Sequence, residues 1–257
     1  MSSAMRMLPI AAVALLAATG PRVAASASPV PVRHGEEATR RVLTLRSLDG
    51  ADLASGEQTQ TLADDRVTSR LVFRFKDGSL HDETTVFSQR GTFRVISDHL
   101  IQSGKAFPTP LDVMIDRGRS EVVTKYRDGT DKTDIQHMTL PEDLANGIIP
   151  TLLKNVRPSD GPVVFSLMAA TPKPRLVKLS IRVGGTETLS MAASADPVTR
   201  FIIHVDIGGL SGMLAPMVGK QPPDSTVWIA PGAVPVFVRT EAQLFVGGPL
   251  WRIDVAR

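Results

Sequence analysis

"RLVFRFKDG", residues 70–78, carries the strongest structural signal in the chain. Leu71, Phe73 and Phe75 fall on one side of an extended backbone, and Arg70, Val72, Arg74 and Lys76 fall on the other. A half-buried strand has that period of two. Asp77-Gly78 follows at once, and a tight hairpin turn needs the positive φ that glycine adopts without steric cost. The same alternation recurs on both sides. Strands are expected at 80–90 and 92–103 with Arg90-Gly91 between them, and then at 111–116, 120–127 and 132–138. Asp128-Gly129 or its neighbours turn the last pair.

Beyond residue 160 strands are expected at 162–170, 174–184, 187–193, 199–207, 225–230, 234–241 and 249–255. In "LVKLSIRV" (176–183) Val177, Leu179, Ile181 and Val183 point inward, and Lys178, Ser180 and Arg182 point outward. Two stretches depart from this period. "PEDLANGIIPTLLKN" (141–155) offers Pro141 as a first helical residue and acids in the opening turn, while Gly147 and Pro150 interrupt the apolar stripe. It predicts a kinked helix or two short ones laid over a sheet. "GLSGMLAPMV" (209–218) places Leu210, Met213, Leu214 and Met217 at helical spacing, a second short helix. The fold expected is mainly β: a single large curved antiparallel sheet or half-barrel with two short helices.

The N-terminal residues follow a different logic. Arg6 precedes an apolar run from Leu8 to Ala18, Gly20 and Pro21 break it, and small residues stand at Ala25 and Ala27. This is the layout of a cleavable secretory signal peptide, residues 1–27, with cleavage after Ala25 or Ala27. The run would extend only about 16 Å as a helix, roughly half a hydrocarbon core. Residues 28–38 are expected to be a disordered lead-in and 39–257 a single β-rich domain. The localisation expected is periplasmic, with no integral membrane segment after cleavage.

Cysteine is absent, so disulfides, thiolate metal sites and a lipoprotein anchor are excluded. Removal of Arg6 and Arg22 leaves 27 basic and 26 acidic residues, and so balanced a chain carries no nucleic-acid signature. Twelve aromatic residues, a single tyrosine among them, are too few for stacking platforms.

Catalytic and metal motifs fail on spacing. Against Gly219-Lys220 the earlier glycine of a phosphate loop falls on Leu214 and its Ser/Thr on Gln221. Gly219 suits a helix C-cap instead, with Lys220 at the negative helix end and Pro222 and Pro223 stopping continuation. A rigid polar loop rimming a cavity remains. The five histidines (His34, His81, His99, His137 and His204) contain no helical metal pair. His204 with Asp206, and Asp98 with His99, would form an imidazole–carboxylate cluster only if their strands were neighbours. Asp128, Asp131 and Asp134 lie three apart, where a calcium loop needs two.

"ATPKPRLVKL" (170–179), "GKQPPD" (219–224), "VWIAPGAVPVFVRTE" (227–241) and "GGPLWRID" (247–254) together resemble a family of uncharacterised exported bacterial β-rich proteins, a domain of unknown function. The resemblance spans roughly residues 70–255 in layout and brings no catalytic residues with it. In architecture alone the chain is similar to the half-barrels of periplasmic lipoprotein carriers.

These observations lead to an exported protein with a non-catalytic binding or envelope-assembly role, whose apolar groove takes a hydrophobic small molecule or lipid, with envelope proteins as further partners. Candidate ligand-binding residues are Leu210, Met213, Leu214, Met217, Lys220 and Trp228, although a Met/Leu stripe more often belongs to a core. No cofactor, metal or catalytic residue is assigned. Two rivals stay open: a metal-free hydrolase using a His/carboxylate cluster, and a module that pairs through a sheet edge.

Overall fold

Strands follow one another along most of the chain. β1 (Thr39–Ser47), β2 (Asp52–Ala63), β3 (Arg66–Phe75), β4 (Leu80–Ser88) and β5 (Arg94–Ser103) are long, while β6 (Leu111–Asp116), β7 (Glu121–Asp128) and β8 (Thr130–His137) are shorter. After α1 (Ile149–Asn155) come β9 (Val163–Ala169), β10 (Arg175–Met191), β11 (Ser194–Asp206), β12 (Ser225–Ala230), β13 (Val236–Ala242) and β14 (Trp251–Val255). The computed structural model describes residues 29–191, 194–206 and 221–256. All 14 strands form one antiparallel sheet, in the order β8-β7-β6-β5-β4-β3-β2-β1-β14-β13-β12-β11-β10-β9. The sheet is curved and stays open, since β8 and β9 form its two edges. The curved antiparallel sheet expected from the alternation is therefore what the chain builds.

Each edge is protected differently. Along β9, Ala145 N–H donates to Ser166 O (2.8 Å) and Ser166 N–H donates to Asp143 O (3.1 Å). The Asn146 amide then imitates one more backbone unit, accepting from Met168 N–H at 2.9 Å and donating to Met168 O at 3.0 Å. β8 has no covering strand among the described residues but exposes Asp131 and Lys132, and charges discourage a second chain from pairing there.

Curvature brings the two half-sheets onto one core. Phe87 and Val113 from the first half meet Phe165, Phe201 and Ile203 from the second, with Ile148, Leu152 and Leu153 between them. Burying such a side chain is worth roughly 1.5–3 kcal/mol. A second cluster gathers Leu45, Phe73, Phe75, Phe107 and Trp251. Phe75 lies 5.4 Å from both Phe107 and Trp251 between ring centroids, at tilted or edge-to-face angles that suit aromatic quadrupoles.

Three sequence expectations need correction. The strands expected at 174–184 and 187–193 are one strand, β10 (Arg175–Met191), as far as the described residues run, because the chain absorbs Gly184-Gly185 as a register shift. Val183 pairs with Phe201 on the inner face just before that shift and is 38% exposed. The helix is confined to Ile149–Asn155, with Pro150 in the first turn, where its missing N–H breaks no hydrogen bond. Residues 29–38 are not a disordered lead-in. Val30 is buried, Val32 N–H donates to Gly91 O, and Phe93 N–H donates to Val30 O. The Asn155 side chain also accepts from both Arg33 N–H and His34 N–H. The second helix expected over 209–218 lies outside the described residues.

Candidate functional site

Strand register lays the inner face of β1–β5 out in rows. One row runs Thr39, Gln60, Ser69, Thr85 and Asp98; the next runs Arg41, Gln58, Leu71, Glu83 and Leu100; the third runs Leu43, Gly56, Phe73, His81 and Gln102. On one side of these rows stands the main core, with Val67 and Phe87, and on the other the aromatic cluster, with Leu45, Ala54 and Phe75. Phe73 packs over Gly56, whereas Arg41, Gln58, Gln60, Ser69, Glu83 and Thr85 are left facing open space. They form one wall of a cavity of about 350 Å³, within the roughly 300–1,000 Å³ of small-molecule sites.

The two walls of this cavity differ in chemistry. From β1–β4 come Arg41, Gln58, Gln60, Ser69, His81 and Glu83; from β9–β13 come Leu167, Val177, Leu179, Ile203, Val227 and Phe237. α1 closes part of it with Ile149, Thr151 and Lys154. The Lys154 ammonium forms an ion pair with Glu36, and both side chains are almost wholly buried.

The polar wall holds three displaced titrations. Burial, with the nearby Asp98 charge, pushes the Glu83 carboxyl up to about 8. Burial pushes Asp98 up to about 6, against the Thr85 hydroxyl, which donates to Asp98 Oδ1 at 2.6 Å. His81 is pushed down to about 4 by burial and is neutral at physiological pH. Its Nδ1 accepts from Gln102 Nε2 at 3.1 Å, and that amide also donates to Leu244 O at 2.6 Å. The imidazole proton is thereby placed on Nε2, which is buried and lacks a hydrogen-bond partner among the described residues. Gly147 passes close to this wall at φ 67°, and a Cβ there would collide with Thr85 Oγ1 at 1.8 Å.

Of the six candidate residues from the sequence, Leu210, Met213, Leu214, Met217 and Lys220 lie outside the described residues. Trp228 sits on the outer face, between inward-facing Val227 and Ile229, packed with Val198 and Val238. Its indole N–H donates to Glu187 at 3.0 Å, and the Arg239 guanidinium lies 6.0 Å from its ring centre. Pro222 and Pro223, expected in a rigid loop rimming a cavity, do line it.

The condition set for a histidine–carboxylate cluster, neighbouring strands, is not met. β5 and β11 lie in different half-sheets, so Asp98-His99 and His204 do not meet. His99 Nε2 bonds Asp112 at 2.8 Å, and His204 Nδ1 bonds Asp224 at 2.7 Å; neither histidine lines the cavity. Sequence reasoning missed His81, Glu83 and Thr85. The available signal was Phe87: in "HDETTVFS" (81–88) the period of two places residues 81, 83 and 85 on its side of the strand. Among the described residues no group of three or more His, Asp or Glu side chains is placed to hold a metal. No described helix is long and apolar enough to cross a membrane.

No family model matches the chain, and no curated protein matches it. Among solved structures it is similar to a β-barrel-like protein of a domain of unknown function (DUF1849) from Brucella abortus. That likeness has a TM-score of 0.50 at 12% identity and covers 87% of this chain and 98% of the other, so it speaks for the fold alone. The chain is thus a β-rich protein similar in fold to an uncharacterised domain, in keeping with the resemblance carried by its sequence phrases.

Proposed function

We propose that this protein binds an amphiphile between its two half-sheets. The observation that carries this reading is the division of one cavity of about 350 Å³ into a polar wall on β1–β4 and an apolar wall on β9–β13. A purely apolar ligand would leave Gln58, Gln60 and Ser69 without partners for their remaining donors and acceptors. A purely polar ligand would gain nothing from Leu179, Ile203 and Phe237. A molecule with one end of each kind satisfies both walls. Neutral His81 and protonated Glu83 add donors to the polar wall. The N-terminal pattern of residues 1–27 supports an exported, periplasmic setting, which Edman sequencing of the protein recovered from osmotic-shock fluid would test.

The test of binding uses delipidated protein and a fluorescent fatty-acid analogue. Saturable binding is expected. Leu71→Trp and Leu167→Trp, which fill the cavity from opposite walls, should each weaken it by about tenfold or more. Binding that is absent, or indifferent to both substitutions, would discard the proposal.

The two rival functions have weaker support. The close His–Asp pairs stand on the outer face, away from the cavity. Edge β9 is already covered and edge β8 is guarded by charge, which disfavours recruitment of another strand.

A further inference from the structure

We propose that the occupant carries an anionic head, a carboxylate or a phosphate ester, and that Arg41 receives it; this rests on the amphiphile reading above. Arg41 lies on the inner face of β1 and lines the cavity. Among the described residues its guanidinium has no hydrogen-bond or ion-pair partner. Its outward-facing neighbours contrast with it. Arg40 pairs with Glu57 at 2.7 Å, Arg46 with Asp52 at 2.6 Å, and Arg70 with Asp82 at 2.6 Å. These three outer arginines each have an acid beside them, and Arg41 on the inner face has none among the described residues.

The inner-face acids do not compensate Arg41. In its own row the acid is Glu83, three strand spacings away, roughly 14 Å along the sheet and beyond ion-pair reach. Its raised carboxyl is also mostly uncharged at neutral pH. The other acid of the lining, Glu36, is neutralised by Lys154. Among the described lining residues Arg41 is thus an uncompensated positive charge opposite a wall of leucine, isoleucine and valine.

A cation in such surroundings is stabilised by an anion that shares its enclosure, and guanidinium binds carboxylate or phosphate through two parallel hydrogen bonds. His81 stands on β4 beside Glu83, three strand spacings from β1, and so does not share that head. Arg41 calls for a ligand rich in acceptors at one end. The apolar wall opposite calls for a hydrocarbon at the other.

The experiment measures four twelve-carbon probes against delipidated protein by calorimetry below their micellar concentrations: dodecanoate, dodecyl phosphate, dodecanol and dodecylammonium. Both anions should bind about tenfold or more tightly than dodecanol, and dodecylammonium most weakly. Whichever anion binds tighter assigns the head to a fatty-acid or a phospholipid source. Arg41→Gln should bring the anion-to-alcohol affinity ratio close to one, while Arg41→Lys retains part of it. Near-UV circular dichroism checks that each variant keeps its packing. Dodecanol binding as tightly as dodecanoate, or a ratio that survives Arg41→Gln, overturns the head-group assignment and leaves amphiphile binding intact. Failure of all four probes overturns amphiphile binding itself.

Discussion

The two half-sheets face one cavity with opposite chemistry, although both are antiparallel meanders of alternating residues. In the second half the inward positions of β10 and β11, namely Val177, Leu179, Ile181, Phe201 and Ile203, are uniformly apolar and buried. In the first half the inward positions of β2 to β5 mix Phe73, Phe87 and Val95 with Gln60, Ser69, His81, Thr85 and Asp98, which are equally buried. The inner face of the second half is therefore packed by apolar burial. The first half depends on internal hydrogen bonds and on protons that carboxyls retain inside the fold. Strand alternation sets which residues face inward, but it does not require that they be hydrophobic.

This contrast makes the halves differ in how they respond to substitution. Phe201→Ala, on the apolar side, removes a ring that is 2% exposed and should cost about 4 kcal/mol in urea denaturation. Lys154→Met should cost about 3 kcal/mol, because it leaves Glu36 buried without its counter-charge. The double variant Lys154→Met/Glu36→Leu should recover most of that loss. Equal costs for the single and double variants would show that the pair carries no such coupling.

The polar side should also give the stability a pH dependence. Between an ordinary 4.5 and about 8, Glu83 keeps a proton in the folded chain that the unfolded chain gives up, so stability falls as pH rises through that window. Asp98 acts in the same direction up to about 6. His81 acts in the opposite sense: from about 4 to 6.5 the unfolded chain takes up a proton that the folded imidazole refuses, so its contribution to stability rises with pH. The opposing effects offset in part below 6.5, and a clear decline is expected between pH 6.5 and 8. Its slope should approach 1.4 kcal/mol per pH unit at most, that of about one proton. Glu83→Gln should flatten it, as read from urea midpoints across that range. A wild-type midpoint that stays level from pH 6.5 to 8 would remove the basis for a protonated Glu83. The smallest effect belongs to neither wall: Arg127→Ala breaks an exposed pair with Asp131 beside the β8 edge, and the unfolding midpoint should not move measurably.

The parts of the fold that the sequence made legible are those where alternation and hydrophobicity coincide. β3 could be traced from Leu71, Phe73 and Phe75, and its turn from Gly78, which takes φ 84°. β6 and β12 begin and end where their apolar spacing predicts, at Leu111–Asp116 and Ser225–Ala230. The candidate site stayed hidden for a physical reason. Polar residues on a strand are ordinarily assigned to solvent, and Gln60, Ser69, His81 and Thr85 look in sequence like an outer face. Arg41 stands in "TRRVL" (39–43), directly beside outward-facing Arg40, and the one local sign that separates them is the period of two that runs from Arg41 to Leu43 and Leu45. The ordering of residues 29–38 was equally obscure, since it depends on Asn155, more than a hundred residues away.

The strand order has one more implication. Of the neighbouring pairs in the sheet, β1 with β14 alone joins strands remote in the chain. A polypeptide that began at β9, ran to β14 and continued straight into β1 would trace an uninterrupted zigzag to β8. The molecule is in effect a plain meander that has been cut and rejoined elsewhere. Twelve local pairings can form strand by strand, with a single distant handshake left to seal the seam.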